Sequence, residues 1–198
     1  MSEAVPSNSN DSRRAFLKTT SALAAGAVMG QLIVPQRAHA AGGDVLRVGL
    51  IGCGGRGTGA AAQALDADPN CKLVAMGDAF DDRLQASRQS LVKRFGPKVE
   101  VDNERCFTGF DNYKGVLGCD LDVVLLATPP HFRPAHLKAA IDAGVHVFAE
   151  KPVAVDAPGV RSVIETSELA KKKGLSILSG LCWRYDYGVR ETIARTLD

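Results

Sequence analysis

The chain has 198 residues, with 24 basic and 22 acidic side chains and a formal net charge of +2 at neutral pH. So even a balance excludes the dense basic face that a nucleic-acid or anionic-membrane partner requires. The five cysteines (Cys53, Cys71, Cys106, Cys119 and Cys182) include no Cys-x-x-Cys pair, so their spacing offers no metal site.

Residues 1–40 read as an address rather than as part of a fold. Arg13 and Arg14 are followed by Phe16 and Leu17, then by an Ala/Gly-rich apolar stretch over 19–34 and by Ala38-His39-Ala40, a small-x-small cleavage pattern. This is the layout of a twin-arginine export signal, with cleavage expected after Ala40 and the mature protein expected in the periplasm or beyond. The twin-arginine export machinery is therefore an expected partner. The apolar stretch has 16 residues, short of the ~20 a spanning helix needs, so no membrane span is expected once the signal is removed. Removing residues 1–40, which carry four basic and two acidic side chains, leaves the remainder electrically balanced. Twin-arginine export carries folded proteins, so the thiols are expected to be reduced rather than bridged.

From Asp44 onward the chain alternates short apolar runs with helical patterns. The first run, Leu46–Ile51, ends in Gly52-x-Gly54-x-x-Gly57, and an alanine-rich helix over Thr58–Leu65 follows. A strand, glycine turn and helix start in this order hold a dinucleotide pyrophosphate. Gly52 permits the turn, Gly54 lets backbone approach phosphate, and Gly57 lets helix and strand pack closely, with Gly55 and Arg56 between them. The helix start adds unpaired N–H groups and a partial positive charge. A second strand, Lys72–Gly77, leads to Asp78, 21 residues after Gly57. A carboxylate there accepts hydrogen bonds from the adenosine ribose and repels a 2′-phosphate, so NAD is expected over NADP. Arg56 and Arg83 are the cations that could offset this repulsion.

Helices are expected over Ala79–Phe95, Asn112–Leu117, Pro134–Ala143 and Val160–Lys173. Strands are expected around Arg105–Thr108 and over Asp122–Ala127, His146–Ala149 and Leu175–Ser179. Gly96, Gly118, Gly144 and Gly174 stand where helices end in a left-handed residue. Uniformly apolar strands alternating with helices mean an α/β fold with a doubly wound parallel sheet, a Rossmann dinucleotide-binding domain.

Two later segments sharpen this reading. Thr128-Pro129-Pro130-His131-Phe132-Arg133 directly follows one strand, and Glu150-Lys151-Pro152 ends the next. Ligands in such sheets bind beyond the carboxyl ends of the strands, so both segments open toward the glycine turn. With the glycine turn, they resemble the glucose–fructose oxidoreductase, inositol dehydrogenase and MocA family, and the resemblance runs from Val45 to about Arg184. It implies that Lys151 lies beside the nicotinamide and hydrogen-bonds the hydroxyl being oxidised, stabilising the alkoxide as hydride leaves. It implies further that Glu150 and the Thr128–Pro129 loop line the cofactor. Standing at a strand end beside a proline, Lys151 is expected to be buried in a pocket rather than solvated. For His131, substrate contact and a loop histidine capping a carbonyl are both open, while His136 and His146 are expected to be structural. Trp183, Arg184 and Tyr185 either frame the nicotinamide pocket or form a packing aromatic beside a surface arginine. Many relatives carry histidine at position 133, so Arg133 is expected to alter anion or substrate contact near the cofactor.

The resemblance also implies a second, α+β substrate domain carrying further acid–base residues and the oligomer interface. It is expected to be absent here, with a dinucleotide-binding domain over 41–180 and residues 181–198, helical from Gly188, beginning the connection to it. A homo-oligomer is expected only where that domain is present. Three functions follow: NAD-dependent oxidation of a sugar, polyol or related alcohol; glycosidic cleavage through transient oxidation by bound NAD, without net redox; and, for these residues alone, a non-catalytic dinucleotide-binding module.

Overall fold

The computed structural model describes residues 45–197. The expected export signal and its cleavage site lie outside these residues. Six strands form one parallel sheet in the order β3-β2-β1-β4-β5-β6: β1 Leu46–Ile51, β2 Cys71–Asp78, β3 Cys106–Thr108, β4 Val123–Leu126, β5 His146–Ala149 and β6 Ile177–Ser179. Six helices join or follow them: α1 Gly55–Ala67, α2 Asp81–Phe95, α3 Asn112–Gly118, α4 Arg133–Asp142, α5 Ala157–Lys172 and α6 Tyr187–Leu197.

Alternation along the strands sends side chains to two separate cores. Val48 and Leu50 of β1 pack with Ala61 and Leu65 of α1 and with Leu84 and Leu91 of α2. Ile51 of β1, with Val124 and Leu126 of β4, packs with Val116 of α3 and with Leu137 and Ile141 of α4. Helices on both faces bury the central strands, which is why these read as continuous apolar runs. Chain order reverses direction across the sheet between β1 and β4, and at that point the loops after β1 and β4 diverge to opposite faces and open a crevice.

Most boundaries follow the sequence reading, and the departures have local causes. Helix α1 begins at Gly55, three residues before the expected Thr58, because Thr58 N already donates to Gly54 O at 2.9 Å. Helix α5 begins at Ala157 rather than Val160, since Asp156 caps it, its Oδ1 accepting from Gly159 N at 2.7 Å. Gly96, Gly144 and Gly174 have positive φ, as expected of helix ends. Gly118 does not; it lies inside the last turn of α3, and the chain leaves through Cys119 in extended conformation.

Candidate dinucleotide site

The glycine turn is tied to both neighbouring strands by backbone hydrogen bonds. Gly52 N donates to Gly77 O at 2.8 Å, and Ala127 N donates to Ile51 O at 2.8 Å. At φ +97, Gly52 occupies the left-handed region, and a Cβ there would lie 2.6 Å from Thr128 N. A Cβ on Gly57 would lie 1.8 Å from Gly52 O, so this glycine is required by contact between helix and turn. Gly54 and Gly55 are different: nothing stands within 4 Å of a Cβ on either. No packing within the protein demands glycine there, and the open space lies before the first turn of α1, which has no side-chain cap. A pyrophosphate fits that cradle, held by the N–H groups that the helix cannot pair internally.

Asp78 ends β2 and is buried, with 8% of its surface exposed. Its Oδ2 accepts from Cys53 N at 2.6 Å and its Oδ1 from Phe80 N at 3.0 Å. The carboxylate therefore also braces the glycine turn, a task its spacing alone did not reveal, and each oxygen keeps lone pairs for a ribose hydroxyl. Burial, with the nearby Asp78 charge, pushes the Cys53 thiol well above the usual thiol range, which leaves it an inert small residue. From Asp78 a pocket of about 340 Å³ extends between Phe80, Phe110 and Phe132, with Thr128 and Pro129 on its far side. Phe80 and Phe110 are 56% and 70% exposed. Phe80 precedes α2, within the helix expected over Ala79–Phe95, and Phe110 lies between β3 and α3; neither was expected at the site. Arg83, whose guanidinium carbon lies 5.4 Å from the Phe80 ring centre, also lines this pocket.

Beyond Thr128 the groove continues past Arg56, Glu150 and Lys151 to Gly180 and Cys182. It ends in a recess formed by Lys151, Leu181, Trp183 and Arg184. Thus Gly52, Gly54, Arg56, Asp78, Thr128, Pro129, Glu150, Lys151 and Arg184 line a groove of adjoining pockets that meet at Thr128 and at Lys151, with Gly55 beside Gly54 and Gly57 beneath the turn. His131 lines no part of it; exposed, its ring meets Phe132 edge-on at 5.3 Å. Lys151 borders the groove but is exposed, so the described residues do not supply the burial expected at this position. Glu150 is buried with its carboxylate against Gly180, where a Cβ would lie 2.8 Å from Oε1.

Arg133 is turned inward, although it also lines the pocket shared by Arg56, Glu150 and Lys151. Only 1% exposed, its Nη2 donates to Thr128 O, and its Nη1 donates to Glu150 O and, at 2.6 Å, to Pro152 O. It pins the loop after β4 to the loop after β5, on both sides of Lys151. Burial pulls this guanidinium below its ordinary value, against the favourable charge of Glu150. His136 stacks on Tyr113 at 4.5 Å and contacts Thr128 Oγ1 through Nδ1 at 3.3 Å. Burial, and then the Arg133 charge, depress it to about 4. His146 is structural: its Nδ1 accepts from Ser176 N at 2.9 Å.

Residues 46–180 match the Gfo/Idh/MocA oxidoreductase family, described as an NAD-binding Rossmann fold. The chain belongs to this family. It is 29% identical over 181 residues to a glycosyl hydrolase family 109 protein of Shewanella baltica, covering 82% of this chain and 38% of that protein. It is 30% identical over 152 residues to inositol 2-dehydrogenase 4 of Saccharopolyspora erythraea, covering 77% and 40%. Among solved structures, myo-inositol 2-dehydrogenase of Lactobacillus plantarum is similar with a TM-score of 0.60 at 25% identity, over 75% of this chain and 40% of that one. A 3-ketoreductase of Actinomadura kijaniata, solved with NADP, is similar with a TM-score of 0.59 at 27% identity, over 78% and 42%. The chain spans well under half the length of these relatives.

Among the described residues no cluster of His, Cys, Asp or Glu could hold a metal ion, and no helix is long and apolar enough to cross a membrane.

Proposed function

We propose that the protein binds NAD in preference to NADP and oxidises a sugar, polyol or related alcohol by hydride transfer. Support comes from two adjoining pockets, one lined by Asp78 and the other by Lys151, that share Ala127 and Thr128. A bound nicotinamide supplies the hydride acceptor. The chain's own residues do the rest: the α1 N-terminus holds phosphate, Asp78 accepts from the ribose, and Lys151 donates a hydrogen bond to the substrate hydroxyl and stabilises the developing alkoxide. The NADP in the Actinomadura ketoreductase belongs to that protein. Here Asp78 would set a fixed negative charge against a 2′-phosphate. Losing a charge-assisted hydrogen bond costs roughly 1.5–3 kcal/mol, so NAD should bind at least ~10-fold more tightly.

Titration with NADH and NADPH tests cofactor choice: Asp78→Ser should narrow the gap, and equal or tighter NADPH binding by the unchanged chain would refute it. Lys151→Ala should abolish turnover; undiminished turnover with every accepted substrate would remove Lys151 from the chemistry.

A second reading has its own support in relatives named glycosyl hydrolase family 109 and, from Shewanella oneidensis, alpha-N-acetylgalactosaminidase. On that reading the protein would cleave a glycosidic bond through transient oxidation of the sugar, with bound NAD supplying reversible hydride acceptance and no net redox. Supplying aryl glycosides and free sugars in parallel separates the two, because NADH accumulation without release of aglycone excludes the glycosidase. Export by the twin-arginine route to the periplasm is proposed on Arg13, Arg14 and the Ala38–Ala40 pattern. Replacing both arginines by lysine should leave the protein in the cytoplasm, and unimpaired export of that variant would refute the route.

A further inference from the structure

Arg56 stands in the first turn of α1, between two glycines of the motif, and its half-exposed side chain reaches back to the end of β5. Nη2 lies 2.5 Å from Oε1 of Glu150, an ion pair rather than a well-directed hydrogen bond, and Nη1 reaches Gln63 Oε1 at 3.4 Å. The partners are unequal: the Arg56 side chain is 49% exposed and that of Glu150 only 6%. Glu150 Oε1 is shut off from solvent with no hydrogen-bond donor. The other cation near it, Arg133, spends its Nη1 and Nη2 protons on the carbonyls of residues 128, 150 and 152. A buried carboxylate thus lines the same pocket as Arg56, whose backbone lies in the first turn of the helix beside the phosphate cradle.

We propose that Arg56 is a counter-ion shared by Glu150 and the cofactor pyrophosphate, so that the Arg56–Glu150 pair sets dinucleotide affinity. The inference rests on the dinucleotide reading above. A guanidinium has five N–H donors in a planar fork, so one edge can serve the carboxylate while another serves a phosphate oxygen. A buried charge left without its partner is costly, and a second negative charge nearby adds repulsion. Arg56 therefore does two things that a simple phosphate contact does not. It neutralises Glu150, and it makes the negative charge of Glu150 compatible with the anionic cofactor.

A double-mutant cycle read by NADH fluorescence titration tests this, with thermal melts confirming that each variant is folded. Arg56→Gln should weaken NADH binding about tenfold or more, through the lost phosphate contact and the exposed repulsion. Glu150→Gln should bind NADH at least as well as the unchanged chain, because the repulsion is gone and Arg56 is free for phosphate. The double variant should recover most of the loss shown by Arg56→Gln alone, and Arg56→Lys should fall between the extremes. If the double variant binds as weakly as Arg56→Gln, or more weakly, Arg56 acts independently of Glu150 and the inference fails. Unchanged binding by folded Arg56→Gln would reduce the pair to a surface brace and also overturn it. An unchanged chain that bound neither NADH nor NADPH would overturn the dinucleotide reading, and the inference with it.

Discussion

Arg133→Met removes the pin between the two loops that flank Lys151 while keeping an unbranched, apolar side chain of similar reach. Three backbone carbonyls, those of Thr128, Glu150 and Pro152, would lose their guanidinium donors. Leaving a buried acceptor unpaired costs about 1–3 kcal/mol, and three together would cost more if each were fully deprived. Against this, methionine escapes the expense of burying a guanidinium at 1% exposure. The net loss should be about 3–5 kcal/mol, the range seen when one member of a buried charged network is removed. Lysine offers one donor group in place of a fork and should restore about half of this. Urea unfolding followed by circular dichroism measures the loss. With a slope of about 2 kcal/mol per molar, the midpoint should fall by about 1.5–2.5 M. A midpoint within about 0.5 M of the unchanged chain would show that water or loop movement satisfies the carbonyls, and the pin would be discarded.

Two glycines of one motif should fail differently. Gly57→Ala forces a Cβ to 1.8 Å from Gly52 O and should prevent stable folding, whereas Gly54→Ala meets nothing within 4 Å. Gly54→Ala should therefore melt like the unchanged chain yet lose at least ~10-fold in NADH affinity, by blocking the approach of phosphate to backbone; normal binding would misplace the cradle. Acid sensitivity should come partly from His136, whose folded value of about 4 lies below its ordinary 6.5. The unfolded chain binds the proton first, so the contribution of neutral His136 is complete above pH 6.5 and is lost as pH falls toward 4, by about 3 kcal/mol in all. His136→Gln should flatten the stability difference between pH 7.5 and 4.5 by an amount of this order, and an identical pH slope in both proteins would refute the assignment.

Local physics wrote the fold class into the sequence. Uniformly apolar strands such as Val123–Leu126 announce a sheet covered on both faces, and the alternation with helices makes that sheet parallel. The glycine turn was legible because its requirements are steric and lie within a few residues: Gly57 meets Gly52, five positions away. Asp78 was legible because it ends a strand at a set distance from that turn. Thr128 and the Glu150–Pro152 segment were legible because they end strands that β-sheet order brings to the same edge. Roles that depend on side-chain direction were not. Arg133 was expected only to alter anion or substrate contact near the cofactor, and the packing that turns it inward, onto carbonyls 17 and 19 residues later, has no local signature. The pairing of Arg56 with Glu150 spans most of the domain, and no sequence spacing encodes a contact between the first turn of α1 and the end of β5. Phe80 and Phe110 likewise became walls of one pocket only when β2 and β3 lay side by side. Residue type and short-range spacing determine which backbone can form. Which charge meets which, and which side chain is buried, depends on long-range packing that no local pattern contains.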